Sequence, residues 1–204
     1  MAVTSLEITQ RSIVLDGHPF GAAGPYEKIV GVLRIAVDPQ HRANQAIADL
    51  AAAPRNAAGL VECASDFYLL RPRDAGRGNR RLLLDVPNRG RKVALGMLNS
   101  TPRVPDPTTL ADFGNGFLMR WGYTVAWCGW QPDVPRRDGL MALTVPTARG
   151  ADGPIGGPVC CEWRPNAHVA TLPMADRYHI AHPTADLDDP AARLTIRRDR
   201  KSVV

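Results

Sequence analysis

The sequence predicts an α/β fold, with a βαβ crossover at its centre and a β-rich excursion toward its C-terminal end. Three observations carry this. Arg81–Val86 is apolar on both faces apart from Asp85, as a central strand of a parallel sheet would be. Asp106–Trp121 repeats its large apolar residues at helical spacing. Tyr123–Trp130 follows at once and is again apolar on both faces, so strand, loop, helix and strand succeed one another as a right-handed crossover requires.

The elements justify themselves in order. Tyr26–Val37 (YEKIVGVLRIAV) is apolar and β-branched and stops at Asp38-Pro39, which predicts a strand. Asn44–Ala53 reads as one or two helical turns ended by Pro54. Leu60–Leu70 reads as a second strand, halted by Arg71-Pro72, and the polar turn Asp74–Asn79 leads into the buried run. Val93–Asn99 suggests a short helix, with a proline-broken connection over Thr101–Pro105. In the helix that follows, Asp106 is placed to cap, Pro107 to fill the first helical position and Gly122 to stop it. Leu110, Phe113, Phe117, Leu118 and Trp121 form its stripe, which Gly114 and Gly116 weaken by ~1 kcal/mol each. From Gly139 the rhythm gives way to short strand candidates in LMALTVPTA (140–148), PVCCEW (158–163) and RLTIRR (193–198).

With 204 residues the chain is long enough for one sizeable domain or part of a larger one. Hydrophobic residues at 45% and charged residues at 22% are ordinary globular values, so a packed core is expected. The 18 prolines predict many turns and short elements. The net charge of +5 is spread without a run of five or six like charges, which gives no nucleic-acid footprint. MAVTSLEITQRS lacks the basic start and apolar stretch of a signal peptide, and no window approaches the ~18 apolar residues of a membrane span. Cys63, Cys128, Cys160 and Cys161 are too sparse for a disulfide scaffold and lack C-x-x-C spacing, so reduced cysteines and a cytoplasmic setting are expected. Cys160 and Cys161, if in a strand, would face opposite sides.

Catalytic patterns are few. G-x-S-x-G is absent, and Ser5, Ser12, Ser65 and Ser100 have no strand-turn-helix setting; Ser65 falls in mid-strand. His179 and His182 lie three apart, but neighbouring prolines argue against a helix and no carboxylate completes a metal set, so no metal is expected. Asp186, Asp188 and Asp189 read as a turn, lacking the spaced ligands and closing Glu of a calcium loop. Asp133 follows a buried strand, where a functional group or a turn-capping carboxylate would both fit. The loop PNRGRK (87–92) leaves the carboxyl end of the central strand, the edge where such sheets bind ligands. No G-x-G-x-x-G accompanies it, which disfavours a dinucleotide cofactor, and none is expected. An oxyanion loop, with N–H groups of Asn88, Arg89 and Gly90 as donors, competes with a glycine turn bearing solvated Arg89, Arg91 and Lys92.

FGAAGPYEKIVG, APRNAAGLVE with SDFYLLRP, PNRGRK, DPTTLADFGNGFLMRWGYTVAWCGWQ and the DVP after it together resemble the bacterial α/β-hydrolase-domain family, from about His18 to Arg198. The resemblance implies an incomplete α/β-hydrolase-type sheet entered through antiparallel N-terminal strands. Arg81–Val86 would be its third strand, Asp106–Trp121 its first helix and Tyr123–Trp130 its fourth strand. It makes Asn88–Gly90 an oxyanion-loop wall and places the serine nucleophile, acid and histidine in sequence beyond this chain.

The last six residues, DRKSVV, match one reading frame of a widely used short-read sequencing adapter. They are read as a scar (199–204), leaving 1–198 as the N-terminal portion of a hydrolase domain. The expected function is thus a fragment of a serine hydrolase for ester or related acyl substrates, inactive alone and partnered by the missing half of its own domain. The alternative is a non-catalytic module that holds a small anion or a protein partner through loop 87–92. No nucleic acid or membrane partner is expected.

Overall fold

The computed structural model describes residues 2–137, 139–175 and 179–196. Its longest elements are strands: β1 (Ala2–Ile13), β2 (Tyr26–Val37) and β3 (Val61–Pro72), followed by the shorter β4 (Leu82–Asp85) and β5 (Thr124–Cys128). Two short helices, α1 (Ala94–Leu98) and α2 (Phe117–Arg120), lie between β4 and β5. Three two-residue strands follow: β6 (Leu143–Thr144), β7 (Arg149–Gly150) and β8 (Gly153–Pro154). The sheet runs β1-β2-β3-β5-β4, with β6 also on β3, while β7 and β8 pair apart.

This overturns the α/β expectation. Among the described residues every sheet pairing is antiparallel except β4 with β5, and strands far outweigh helices. The single parallel pair does sit where the crossover was expected, with Leu82 opposite Thr124 and Asp85 opposite Trp127. Its connection is mostly coil, because the expected long helix over Asp106–Trp121 breaks in two. A 3-10 turn spans Leu110–Phe113, then Gly114 and Gly116 take φ of 54° and 64°, and α2 begins at Phe117. Gly114 must be glycine: a Cβ there would collide with the Asn99 carbonyl oxygen. Asp106 is not the cap. Asp112 Oδ2 instead accepts the N–H groups of Thr108 and Thr109 at 2.9 and 2.7 Å.

β4 is likewise not central. It ends the sheet, and Leu82 and Leu84 on one face are 62% and 53% exposed. No helix forms over Asn44–Ala53: one 3-10 turn, Arg42–Asn44, ends where it was to begin, and a second, Leu50–Ala52, follows Asp49 at φ 56°. Of the β-rich excursion only β6, β7 and β8 form; 158–163 and the described part of RLTIRR are not strands, so Cys160 and Cys161 have no strand alternation to obey. Arg197 and Arg198 of that stretch, and the adapter-like tail 199–204, lie outside the described residues.

The chain divides into two units, one formed by the residues up to Ile155 with 178–180, the other by Gly156–Arg177 with the residues from Ala181 on. In the second, Asp186 and Asp189 accept N–H groups two residues ahead, as turn carboxylates do, and Trp163 Nε1 donates to the Pro173 carbonyl at 2.8 Å.

The core of the first unit gathers Phe20, Tyr26, Tyr68, Leu70, Phe113, Leu118, Met119, Val125 and Trp127. Each large apolar side chain sealed there contributes roughly 1.5–3 kcal/mol. Tyr26 donates its hydroxyl to the carbonyls of Met119 and Tyr123, and burial pushes its phenol well above the ordinary range. Asn99, fully buried, accepts the Leu118 N–H and donates to the Phe113 carbonyl, so it splices the two halves of the broken helix. No helix among the described residues is long and apolar enough to cross a membrane.

Candidate functional site

Three features gather around β4 and β5. The first is the base of the PNRGRK loop. Asp85, the polar interruption in an apolar strand, accepts the N–H groups of Val93 and Ala94 at 2.8 Å each and the indole N–H of Trp127 at 2.6 Å. One carboxylate oxygen therefore closes the loop at its root and satisfies the start of α1.

The loop tip is a tight reversal. Asn88 and Arg91 bridge, and both central residues are left-handed, Arg89 at φ 55° and Gly90 at φ 76°. Such a turn suits glycine at Gly90; at Arg89 it costs on the order of 1 kcal/mol. A side chain at Gly90 would strike Val134 and the backbone of Met141, whose N–H donates to the Gly90 carbonyl at 3.0 Å. Of the expected donors Asn88, Arg89 and Gly90, the last two differ, and the neighbouring Arg91 N–H is also engaged. The N–H of Gly90 closes the turn on Pro87, and that of Arg91 bonds Asn88. The N–H of Arg89 alone among these leaves the turn, and donates to Gln131 Oε1 at 2.6 Å. Trp130 steadies the same loop, donating Nε1 to the Pro87 carbonyl at 2.8 Å.

The second feature is a dyad. Asp133, two residues past Gln131, holds Nδ1 of His179 at 2.7 Å, and its carbonyl accepts the Ile180 N–H. His179 Nε2 is buried and has no hydrogen-bond partner among the described residues. No helix joins His179 to His182, and no metal-binding cluster occurs among the described residues. Two roles were open for Asp133 in the sequence; the structure gives it an imidazole partner forty-six residues away, which no local spacing could announce.

The third feature was missed in the sequence. Lys28 on β2 donates to both oxygens of Asp106, at 3.0 and 2.8 Å, and the Tyr68 hydroxyl donates to Asp106 Oδ1 at 2.7 Å. Lys92 places Nζ 4.6 Å from the centre of the Tyr68 ring and 3.3 Å from the Gly139 carbonyl. Burial would raise the Asp106 carboxyl, but hydrogen bonds from Lys28 and Tyr68 and the charges of Lys28 and Lys92 outweigh it and hold the group low. Burial first, then the Asp106 bond, push the Tyr68 phenol far up, so it stays a donor. Burial chiefly, with Lys28 adding to it, brings Lys92 down to about 8 despite the attraction of Asp106, Asp66 and Asp85. The Tyr68 ring works the other way, since its face favours the ammonium by roughly 0.5–2 kcal/mol. A shift from the ordinary lysine range to about 8 corresponds to ~3 kcal/mol against the charge, so burial prevails.

A signal for this cluster was present. The chain holds three lysines, Lys28, Lys92 and Lys201, against 22 arginines, and the first two both act on one carboxylate, Lys28 by hydrogen bonds and Lys92 by its charge. Ser65, by contrast, is structural: buried in β3, its hydroxyl donates to the Gly129 carbonyl at 2.7 Å. The four cysteines are free.

Comparison with family models, with curated proteins and with solved structures found no match.

Proposed function

We propose that the chain supplies the oxyanion-binding loop of an acyl hydrolase acting on ester or related substrates, and is inactive without a nucleophile from elsewhere. The reading rests on the loop and not on the fold class. The observation that carries it is the Arg89 N–H, held in a strained left-handed residue and directed at the Gln131 side-chain oxygen. A side-chain amide oxygen is an acceptor that can swing aside, and a substrate oxygen developing negative charge would take its place. A preorganised donor of this kind lowers an acyl-transfer barrier by ~3 kcal/mol. Strained backbone persists where surrounding contacts enforce it, and here Asp85, Trp130 and Met141 do so.

The edge of the sheet supports a larger whole. β4 presents Leu82, Leu84 and the following Val86 to solvent beside an edge that pairs with no other described strand, a surface that further chain of the same domain would cover. A serine-directed fluorophosphonate probe tests the reading: a polypeptide extended beyond Arg198 by its natural sequence is labelled, and the 204-residue chain is not. Labelling of the 204-residue chain itself, or an extended chain that resists the probe, overturns it.

A further inference from the structure

Among the described residues several ion pairs away from this cluster are built from arginine. Arg34 pairs with Glu7, Arg11 and Arg71 with Glu27, and Arg136 with Asp66. Two of the three lysines meet in one cluster, where a lysine offers what arginine lacks, an amine able to release its proton. Lys28 is engaged by Asp106, whereas Lys92 Nζ bonds a neutral carbonyl and lies on an aromatic face. Beside it is a small cavity, about 10 Å³, lined by Tyr68, Lys92, Leu95, Arg103, Val104 and Trp127 among others. That volume admits a single small group, so a ligand would enter by its reacting end alone.

We propose that Lys92 is a covalent amine site for small aldehydes that carry an anionic group. The nitrogen lone pair attacks the carbonyl carbon, and the displaced π electrons take a proton as the hydroxyl of a carbinolamine. That hydroxyl leaves with the remaining nitrogen proton as water, and the new C=N bond completes an imine without any change of oxidation state. Lys28 favours the neutral amine by its adjacent charge, the arrangement that activates an amine nucleophile. Arg103 at the cavity wall supplies the charge that selects an anionic aldehyde. The inference is independent of the acyl-hydrolase reading.

The test uses glyoxylate with cyanoborohydride on the 204-residue chain, followed by peptide mass spectrometry. Lys28 and Lys201 serve as internal references, the only other lysines present. Lys92 is expected to be trapped at least tenfold faster than Lys201 at pH 7, and the preference to vanish in denaturant. Its rate is expected to level off near pH 8 while that of Lys201 still rises, given the groups facing it: Lys28 from β2, Asp66 and Tyr68 from β3, Asp85 from β4, and Asp106 with Arg103 from the connection. Arg103→Ala should slow trapping of glyoxylate severalfold and leave uncharged glycolaldehyde unaffected. Equal rates at Lys92 and Lys201, or a preference that survives unfolding, overturn the proposal.

Discussion

The imidazole Nδ1 of His179 lies 2.7 Å from Asp133 Oδ2, and the next amide, Ile180 N–H, donates to the carbonyl of the same aspartate at 2.9 Å. One residue after β5 therefore anchors a distant segment twice, by side chain and by backbone. Removing the carboxylate leaves a buried imidazole with neither nitrogen bonded. Asp133→Ala is expected to lower the local opening free energy of 179–180 by ~1–3 kcal/mol. Hydrogen exchange should show it as faster exchange at Ile180 with the β2 and β3 amides unchanged; equal protection in both proteins would contradict it.

Asp85 serves three donors with one oxygen, one of them the indole of the nearly fully buried Trp127. Asp85→Ala strands that indole N–H and the start of α1, so a loss of ~2–4 kcal/mol is expected. Denaturant titration followed by tryptophan fluorescence would measure it.

Gly114→Ala combines a left-handed φ of 54° with a collision against the Asn99 carbonyl. A destabilisation of more than ~1 kcal/mol follows. Gly157→Ala, where an added Cβ meets nothing within 4 Å, is the control and should leave the denaturation midpoint unchanged.

Lys92 carries a pH signature in folding. Its folded value of about 8 lies below its ordinary value of 10.5, so between them the unfolded chain holds a proton that the folded chain has released. Stability from this group is complete above about 10.5 and is lost as the pH falls through about 8. The wild-type stability minus that of Lys92→Met should therefore rise across that window, by at most ~3 kcal/mol given a half-buried side chain. A flat difference would show that the amine keeps its proton on folding.

Leu84 is 53% exposed on the edge strand. Leu84→Lys is expected to reduce self-association in sizing chromatography with stability altered by less than ~0.5 kcal/mol.

How legible this molecule is varies along the chain for physical reasons. β2 was readable to the residue, because a β-branched run lies between Pro25 and Asp38-Pro39 and pairs with β3 without a slip. β1 was not, since its register shifts near Val3 and again between Ile8 and Gln10, which breaks the alternation that would have revealed it. The stripe from Leu110 to Trp121 was real in burial terms at Phe113 and Leu118, yet two glycines divided it, and spacing alone does not sense left-handed backbone. β4 looked central because its composition suits burial; pairing, which composition does not encode, put it at the edge. Of the candidate site, the turn at Gly90 was legible from its glycine, whereas Asp133–His179 joins residues whose separation is set by tertiary structure alone.

Trp130 gives the loop an optical voice. Its indole bonds Pro87 at the root of the turn, its neighbour Gln131 holds the Arg89 N–H, and the ring is half open to solvent. Because Asp85 fixes both ends of the loop, an oxygen that displaces Gln131 must be accommodated by that side chain and its immediate neighbour. Occupancy at Arg89 would then change the share of the four-tryptophan emission that a Trp130→Phe variant removes, with no label attached to the protein.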